Sequence, residues 1–556
     1  MIDQNIVRGH TSDPHRGILP LFLAAIAPVF FIATTVVGAI RWFSPVPFWD
    51  MWDGYLRFYM DVKYGDHGAF FVQANEHRIL LSKVLFWLDL KYFGGLSYLL
   101  IPINLLLMMG LWALFIVGAR SLIAQNRRLT YYVSMLVVFP CFSWLNTENL
   151  NWAYQSQFFL AYLLPMAALM SFAVWAQDPS RERWFVAALS FGVLSTISMA
   201  NGLLALPLLI VMLILSGRFS WSRLLVLIGV TAITFALWKR HYDSIPRPSA
   251  GALAEIKFAL LFLGGPIANI FHSFALGILV GVAVVIACVF LAWQWLRRAT
   301  DNQMFLALGL FLVYVIAAAA AAAHSRAFFG LDAAPSQRYG TPPLLVYATI
   351  LLLFVHLYRA RAGAIASVST LAVVVPMTLF AFQLSALKDD GPNRAWERMQ
   401  AALALNLGVI DNAATGTIYP ANTPVEVDRV HKIASDAAAI NLSVFGLPEM
   451  QAARRAIGNS PEVLALHKCS GHIDAVDSIK SDSRFEHVSG WAFDEKNQRV
   501  PKVAFPVVQD VVVGAALTGQ RRDDVRQSVG VGGTLSGFQG YMWTGRQQDA
   551  TIYCGN

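Results

Sequence analysis

The chain has 556 residues, of which 56% are hydrophobic and only 14% charged, and its mean hydropathy is +0.53. A soluble protein carries about a quarter charged residues, so soluble and disordered classes are excluded. The formal charge of +8 does not point to nucleic acid, because much of it sits in short loops beside apolar segments, where Lys and Arg set membrane orientation.

Apolar stretches of about 20 residues, the length that crosses a bilayer, recur from Gly17 to Leu387. Met1 to Arg16 is polar, and Gly17 to Ile40 is too long for a signal-peptide core and lacks a small-residue cleavage site, so it reads as a first span that stays. Eleven spans are predicted, near 18–40, 96–118, 131–145, 157–177, 185–200, 203–216, 224–239, 273–296, 304–323, 343–358 and 364–386. Arginines punctuate alternate loops: Arg120 with Arg127 and Arg128, Arg181 with Arg183, Arg218 with Arg223, Arg297 with Arg298, and Arg359 with Arg361. Threading puts them all on the side of Arg8 and Arg16. The positive-inside rule makes that side cytoplasmic, and an odd number of spans puts the C-terminal tail outside.

The first outer loop, Arg41 to Gly95, holds two amphipathic helical stretches, Asp50 to Val62 and Ile79 to Tyr92, of the kind that lies at a membrane interface. In the loop from His241 to Ser273, the run Leu260 to Pro266 is apolar but too short to span, which suits a re-entrant or interfacial piece. After Leu387 the composition turns polar. Residues 391–470 read as a helical linker, with helical patches over Arg394 to Leu407 and Val425 to Ala439. Residues 471–556 alternate apolar and polar, and Val503 to Val508 and Val511 to Val513 read as strands of a small β-sandwich. Cys141 and Cys288 fall in apolar spans. Cys469 and Cys554 bracket the β-rich part and can form a disulfide outside the cytoplasm. The fold class is thus a polytopic α-helical membrane protein over residues 1–390 with a small outer C-terminal β domain.

The polar outer loops carry the chemistry. Asp50 and Asp53, spaced i and i+3 among Phe48, Trp49 and Trp52, can share a helix face. A partly desolvated acid can serve as general base toward an attacking hydroxyl; Asp50 is also a sensible helix N-cap. Glu76-His77-Arg78 are three consecutive ionisable residues beside a span, costly unless paired or solvated. Arg78 can hold a phosphate, and Glu76 or His77 can bind sugar hydroxyls or a cation; the same residues also suit a salt-bridged helix start. Glu148, Asn149, Trp152 and Gln155 crowd the next outer turn, where amides hydrogen-bond hydroxyls and an indole face covers C–H groups. Ser198 to Gly202 reads as a tight turn only. Gln337, Arg338 and Tyr339 lie in the last outer loop, flanked by His324 and Arg326 and followed by Thr341-Pro342-Pro343, which opens a span; an arginine here can pair bidentately with a phosphate or pyrophosphate leaving group, or snorkel at the interface.

These motifs resemble the GT-C class of membrane glycosyltransferases, and most of all a bacterial branch related to O-antigen glucosyltransferases and protein mannosyltransferase-like enzymes. The likeness rests on Phe48-Trp49-Asp50-Met51-Trp52-Asp53, Asn75-Glu76-His77-Arg78, Glu148 to Gln155 and Arg338 to Pro342, and it covers roughly residues 18–390. The resemblance implies a catalytic acid in the first outer loop, here Asp50 or Asp53. It implies a polyprenyl-phosphate sugar donor entering from the bilayer, inversion at the anomeric carbon, and Arg338 near the departing phosphate. It also implies a bacterial inner-membrane enzyme that modifies a periplasmic glycan such as O-antigen lipopolysaccharide, or a surface protein. The chain lacks the adjacent acid pair of the most-studied branches. That leaves open which acid is the base and whether Mg or Mn, held by Asp50, Asp53 and Glu76, takes part. The competing reading is a transporter or flippase of lipid-linked sugars. A transporter should place ionisable groups or broken helices near mid-membrane, often in repeated halves; here the ionisable motifs gather at one interface and no repeat is visible.

Overall fold

The computed structural model describes residues 18–244, 246–298, 302–361, 363–388, 390–546 and 550–555. Arg8 and Arg16, on which the orientation of the first span rests, lie outside them.

Most of the described chain is helical. Among the described residues, eight helical segments are long and apolar enough to cross a membrane: Leu100–Ile123, Arg127–Asn151, Ala153–Gln177, Trp221–Lys239, Phe274–Arg297, Gln303–Phe329, Gln337–Tyr358 and the one that contains Ala364–Leu384. Ala252–Leu263 and Gly265–Phe271 form a pair bent by 75°, which would make a ninth if counted as one span. The chain is therefore a multi-pass membrane protein. The first expected span is the helix Ile18–Arg41. The expected spans near 185–200 and 203–216 correspond to Glu182–Thr196, of 15 residues, and to the short apolar stretch Ala200–Leu215.

The chain divides into two compact units. The first comprises residues 1–41, 73–81 and 101–388. Apolar helices gain little from the hydrophobic effect against lipid, so buried polar bonds and close backbone approach hold them together. Gln383 is fully buried, and its Nε2 donates to Thr34 Oγ1 (2.8 Å), Thr35 Oγ1 (3.0 Å) and the Phe31 carbonyl (3.1 Å), while its Oε1 accepts from the Trp144 N–H at 2.9 Å. This one amide ties the first helix, the last span and the Trp144 turn. The bent pair packs on the helix Phe274–Arg298 where glycines meet backbone. A Cβ at Gly264 would lie 1.8 Å from the Gly277 carbonyl oxygen, and one at Gly281 would lie 2.0 Å from that of Leu260.

The second unit comprises residues 42–72, 82–100 and 389–556. Its helices include Asp390–Leu407 and Pro424–Ala439, the latter started by a capping box between Thr423 and Glu426. The β part has eight strands: β1 (His467–Lys468), β2 (Ser470–Ser478), β3 (Phe485–Phe493), β4 (Val503–Val508), β5 (Val511–Val512), β6 (Gly514–Gln520), β7 (Gly537–Trp543) and β8 (Thr551–Cys554). The strands expected over Val503 to Val508 and Val511 to Val513 are β4 and β5. They form one antiparallel sheet in the order β1-β8-β4-β6-β7-β3-β2, with β5 beside β4, rather than two sheets packed as a sandwich. β1 and β2 are one run of chain broken at Cys469, so both ends of the sheet meet on that run. The sheet thereby encloses its own core of Ile473, Val488, Ala504, Ala516, Phe538, Met542 and Ile552. Closure removes the exposed edges that an open sheet presents. Cys469 is bonded to Cys554 at the closing seam, with Cα atoms 5.8 Å apart.

Candidate functional site

The residues singled out from sequence divide between the two units. In the second unit, Trp49 has φ 52° and is 42% exposed. A bulky residue with positive φ is an outlier whose cost, of order 1–3 kcal/mol, must be met by its surroundings; here the Trp49 N–H is fixed to the Ile418 carbonyl at 2.7 Å. After it comes not a regular α-helix but a π-helical turn, Trp52–Arg57, and then Phe58–Lys63. Such turns often mark functional positions. Helix begins at Met51, directly after Asp50, whose carbonyl accepts the Gly54 N–H at 2.8 Å. Burial decides this locally: Trp52 and Tyr55 are fully enclosed, and the Tyr55 hydroxyl donates to Asp89 at 2.5 Å.

Asp50 is exposed, and Asp53 is half-buried. Asp53 Oδ1 accepts from Arg429 Nε at 2.8 Å and is paired with Arg429 Nη2 at 2.5 Å, and its Oδ2 accepts from the Tyr419 hydroxyl at 3.4 Å. Burial and the Asp53 charge push the Tyr419 hydroxyl up to about 12, so it stays protonated as a donor. A proton taken by Asp53 would have to compete with these bonds.

In the first unit, Glu76 bridges two arginines that the sequence did not mark as a pair. Arg247 Nη2 meets Oε1 at 2.6 Å, and Arg326 Nη2 meets Oε2 at 2.7 Å. Burial opposes ionisation of Glu76, but Arg326 and Arg247 outweigh it and hold the carboxyl below its usual range. His77 next to it is pulled well below the usual histidine range, by burial first and by Arg326 second, with Glu76 opposing. A neutral imidazole fits its other contact, because His77 Nδ1 accepts the Ala200 N–H at 3.4 Å. The turn expected to be only a turn therefore also orients a histidine. Arg78 donates from Nε to the Trp238 carbonyl at 2.8 Å and from Nη2 to the Arg240 carbonyl at 2.5 Å.

The run from Asn146 to Gln157 meets the turn Gln337–Tyr339. Glu148 Oε2 accepts the Arg338 N–H at 3.1 Å, while Asn149 Nδ2 donates to the Arg338 carbonyl and to Thr341 Oγ1, both at 2.9 Å. Glu148 and Asn149 thus clamp the backbone that carries Arg338. The guanidinium of Arg338 lies over the Tyr339 ring at 5.2 Å, and Tyr339 in turn contacts Phe262. Gln337 is exposed. Trp152 is buried, stacks on Tyr154 and accepts Asn104 Nδ2 on its carbonyl at 3.1 Å, so its ring is packing rather than an open sugar platform.

Gln155 is 0% exposed, and neither atom of its amide has a hydrogen-bond partner in the protein. Asn146 Oδ1, Asn149 Oδ1, Gln157 Oε1 and Arg338 Nε are likewise buried and unpartnered. Buried polar atoms are nearly always bonded, to protein, water or ligand, and leaving one unbonded costs about 1–3 kcal/mol. Several such atoms on one short run are what a polar binding site looks like when only the protein side is counted. Asn146 carries a local signal that sequence reasoning missed, since it begins the same amide-rich turn. Arg326, with His324, stands out from sequence as flanking the last outer loop, but nothing marks Arg247 and Arg326, 171 and 250 residues away, as partners of Glu76.

The residues suggested for Mg or Mn do not fit a cation, because both oxygens of Glu76 face guanidinium groups. His467, Cys469 and Asp494 lie within 4.8 Å of one another by their ligand atoms, but Cys469 is in the disulfide and offers no thiolate. His467 Nε2 and Asp494 Oδ1 are already bonded at 2.9 Å.

No protein-family model matches the chain, and no curated protein matches it by sequence. Among solved structures, it is similar to an oligosaccharyltransferase of Archaeoglobus fulgidus in complex with Zn and sulfate, at 11% identity and a TM-score of 0.40. The match covers 71% of this chain and 57% of that one, and a likeness of this size decides neither substrate nor mechanism.

Proposed function

We propose that this chain is a membrane glycosyltransferase of the GT-C kind. It moves a sugar from a polyprenyl-phosphate donor to a periplasmic glycan, such as O-antigen lipopolysaccharide, or to a surface protein. The observation that carries the reading is the fully buried Gln155 with both amide atoms unpartnered, on the same run as Glu148 and Asn149, which clamp the backbone of Arg338. Amides answer sugar hydroxyls, and a guanidinium suits a phosphate. In this reading the acceptor hydroxyl loses its proton to an acid of the first outer loop and attacks the anomeric carbon. The bond to the lipid phosphate breaks with inversion, and Arg338 stabilises the phosphate as it leaves. The expected base is Asp50 or Asp53, of which Asp53 is bonded to Arg429 and Tyr419. The arginine loops support a cytoplasmic N-terminus and a periplasmic C-terminal domain in a bacterial inner membrane.

The test is transfer from radiolabelled polyprenyl-phosphate sugars to envelope glycans by purified protein. Asp50→Asn or Asp53→Asn, whichever removes the base, should reduce transfer by about 10²–10⁴-fold, the usual contribution of a general base. Gln155→Ala should weaken use of the donor. Donor binding with no transfer to any acceptor would abandon the enzyme reading in favour of a transporter of lipid-linked sugars.

A further inference from the structure

Glu76 answers two guanidinium groups with one carboxylate, so the bridge carries an excess of one positive charge. Arg247 and Arg326 each spend Nη2 on it, at 2.6 and 2.7 Å, and all three side chains are 18–24% exposed, within reach of a ligand. The buried imidazole of His77 is neutral and leaves the balance unchanged. Among the described residues, no second carboxylate pairs with either arginine, and Arg247 Nε is buried without a hydrogen-bond partner. Glu255, an acid on the neighbouring helix, faces His324 at 3.3 Å instead. Further cations gather around the bridge. Arg78, two residues from Glu76, is fixed to the Trp238 and Arg240 carbonyls, and Lys239 lies over the Tyr242 ring at 5.0 Å. Asp243 is the only acid in the sequence between Lys239 and Arg247. Partly buried charge left without a counter-charge is costly, and an anion would relieve it.

The surroundings favour one source of that anion. Arg78 is tied to the end of the helix Trp221–Lys239, in which only Leu227 and Trp238 are buried. Ile233, Phe235 and Leu237 on its last turns are 53–65% exposed. An apolar helix bared in this way in a multi-pass membrane protein faces lipid, so its end lies at headgroup level. Trp238 stacked on Tyr242 at 4.6 Å fits the aromatic belt found there. Basic pockets beside the ends of spans take the headgroups of anionic lipids. A zwitterionic headgroup brings its own ammonium, which guanidinium groups repel; an anionic one brings phosphate charge that nothing cancels. We propose that Arg247 and Arg326 bind the phosphodiester of an anionic bilayer lipid, with its acyl chains along the helix Trp221–Lys239. The occupant is a lipid of the membrane, not the sugar donor, so the site is expected whether or not the chain transfers sugars.

The test strips the purified full chain of lipid in detergent and titrates it with phosphatidylglycerol, phosphatidylethanolamine, inorganic phosphate or polyprenyl phosphate. Bound molecules are counted by native mass spectrometry. Phosphatidylglycerol should bind at least about fivefold more tightly than phosphatidylethanolamine. Arg247→Gln and Arg326→Gln should each weaken it about fivefold, the effect of one basic residue at a membrane surface. Arg247→Lys keeps the charge and should stay within about twofold of wild type. Glu76→Gln raises the excess charge and should tighten lipid binding, even though it loosens the fold. Weaker lipid binding in all four variants would mark a cluster that only holds the fold together, and would overturn the proposal. Equal binding of the two phospholipids, or phosphatidylglycerol binding untouched by both glutamine variants, would overturn it too. So would inorganic phosphate displacing the phospholipid at equal concentration, which would make the occupant a free anion. Tighter binding of polyprenyl phosphate at the same arginines would give the site to the donor and likewise overturn it.

Discussion

The Glu76 bridge gives the sharpest test of how the first unit is held. Glu76→Gln removes one negative charge from between two guanidinium groups at 2.6 and 2.7 Å, with all three side chains only 18–24% exposed. A charge-assisted hydrogen bond contributes about 1.5–3 kcal/mol. Glutamine keeps one acceptor, but its NH2 faces the other arginine donor against donor. Breaking a buried pair by removing one partner costs about 3–5 kcal/mol, and partial exposure reduces that, so the expected loss is about 2–4 kcal/mol. The assay is thermal unfolding of the purified protein in detergent. Adding Arg326→Gln to Glu76→Gln removes one of the two uncompensated charges, so the double variant should recover about 1–2 kcal/mol relative to additivity. A Glu76→Gln protein within about 0.5 kcal/mol of wild type, or strictly additive losses, would refute the claim that the carboxylate holds these three elements together.

Other outcomes rest on the same structure. Cys469→Ser should destabilise the closed sheet, by up to about 4–5 kcal/mol in the chain-entropy view for a cross-link spanning 85 residues. Faster hydrogen exchange in β1 and β8 would report it. Gly281→Ala would place a Cβ 2.0 Å from the Leu260 carbonyl oxygen and force the bent helix pair off its neighbour; a loss of about 1–3 kcal/mol is expected from such overpacking, read as a lower melting temperature. Arg484, together with the Ile410 and Arg484 N–H groups, holds the Asp482 carboxyl down at about 2 against the effect of burial. Its folded value lies below the unfolded one, so its stabilisation is present above the ordinary carboxylate range and is lost as pH falls toward about 2. Asp482→Asn should therefore lower stability at neutral pH and flatten the acid limb of a stability-against-pH curve.

Sequence by itself determined the class of molecule and most of its long elements. Apolar runs of bilayer length become helices because unpaired backbone groups are untenable in lipid, and the short apolar run Val503 to Val508 becomes β4, a strand buried on both faces. It also located the amide-rich turn and the Arg338 turn, since such polar residues are conspicuous against an apolar background. The pairings between them were not legible. Glu76 with Arg247 and Arg326, the clamp of Glu148 and Asn149 on the Arg338 backbone, and the grouping of residues 42–72 and 82–100 with 389–556 join positions far apart in the chain. No local period encodes such contacts. Closure of the sheet on the run from His467 to Ser478 is of the same kind: alternation fixes which faces are apolar, but only tertiary pairing decides whether two sheets stack or one sheet meets itself. The left-handed Trp49 and the π-helical turn after it were invisible for a related reason. The burial of Trp52 and Tyr55 is decided by the fold, not by the residues on either side.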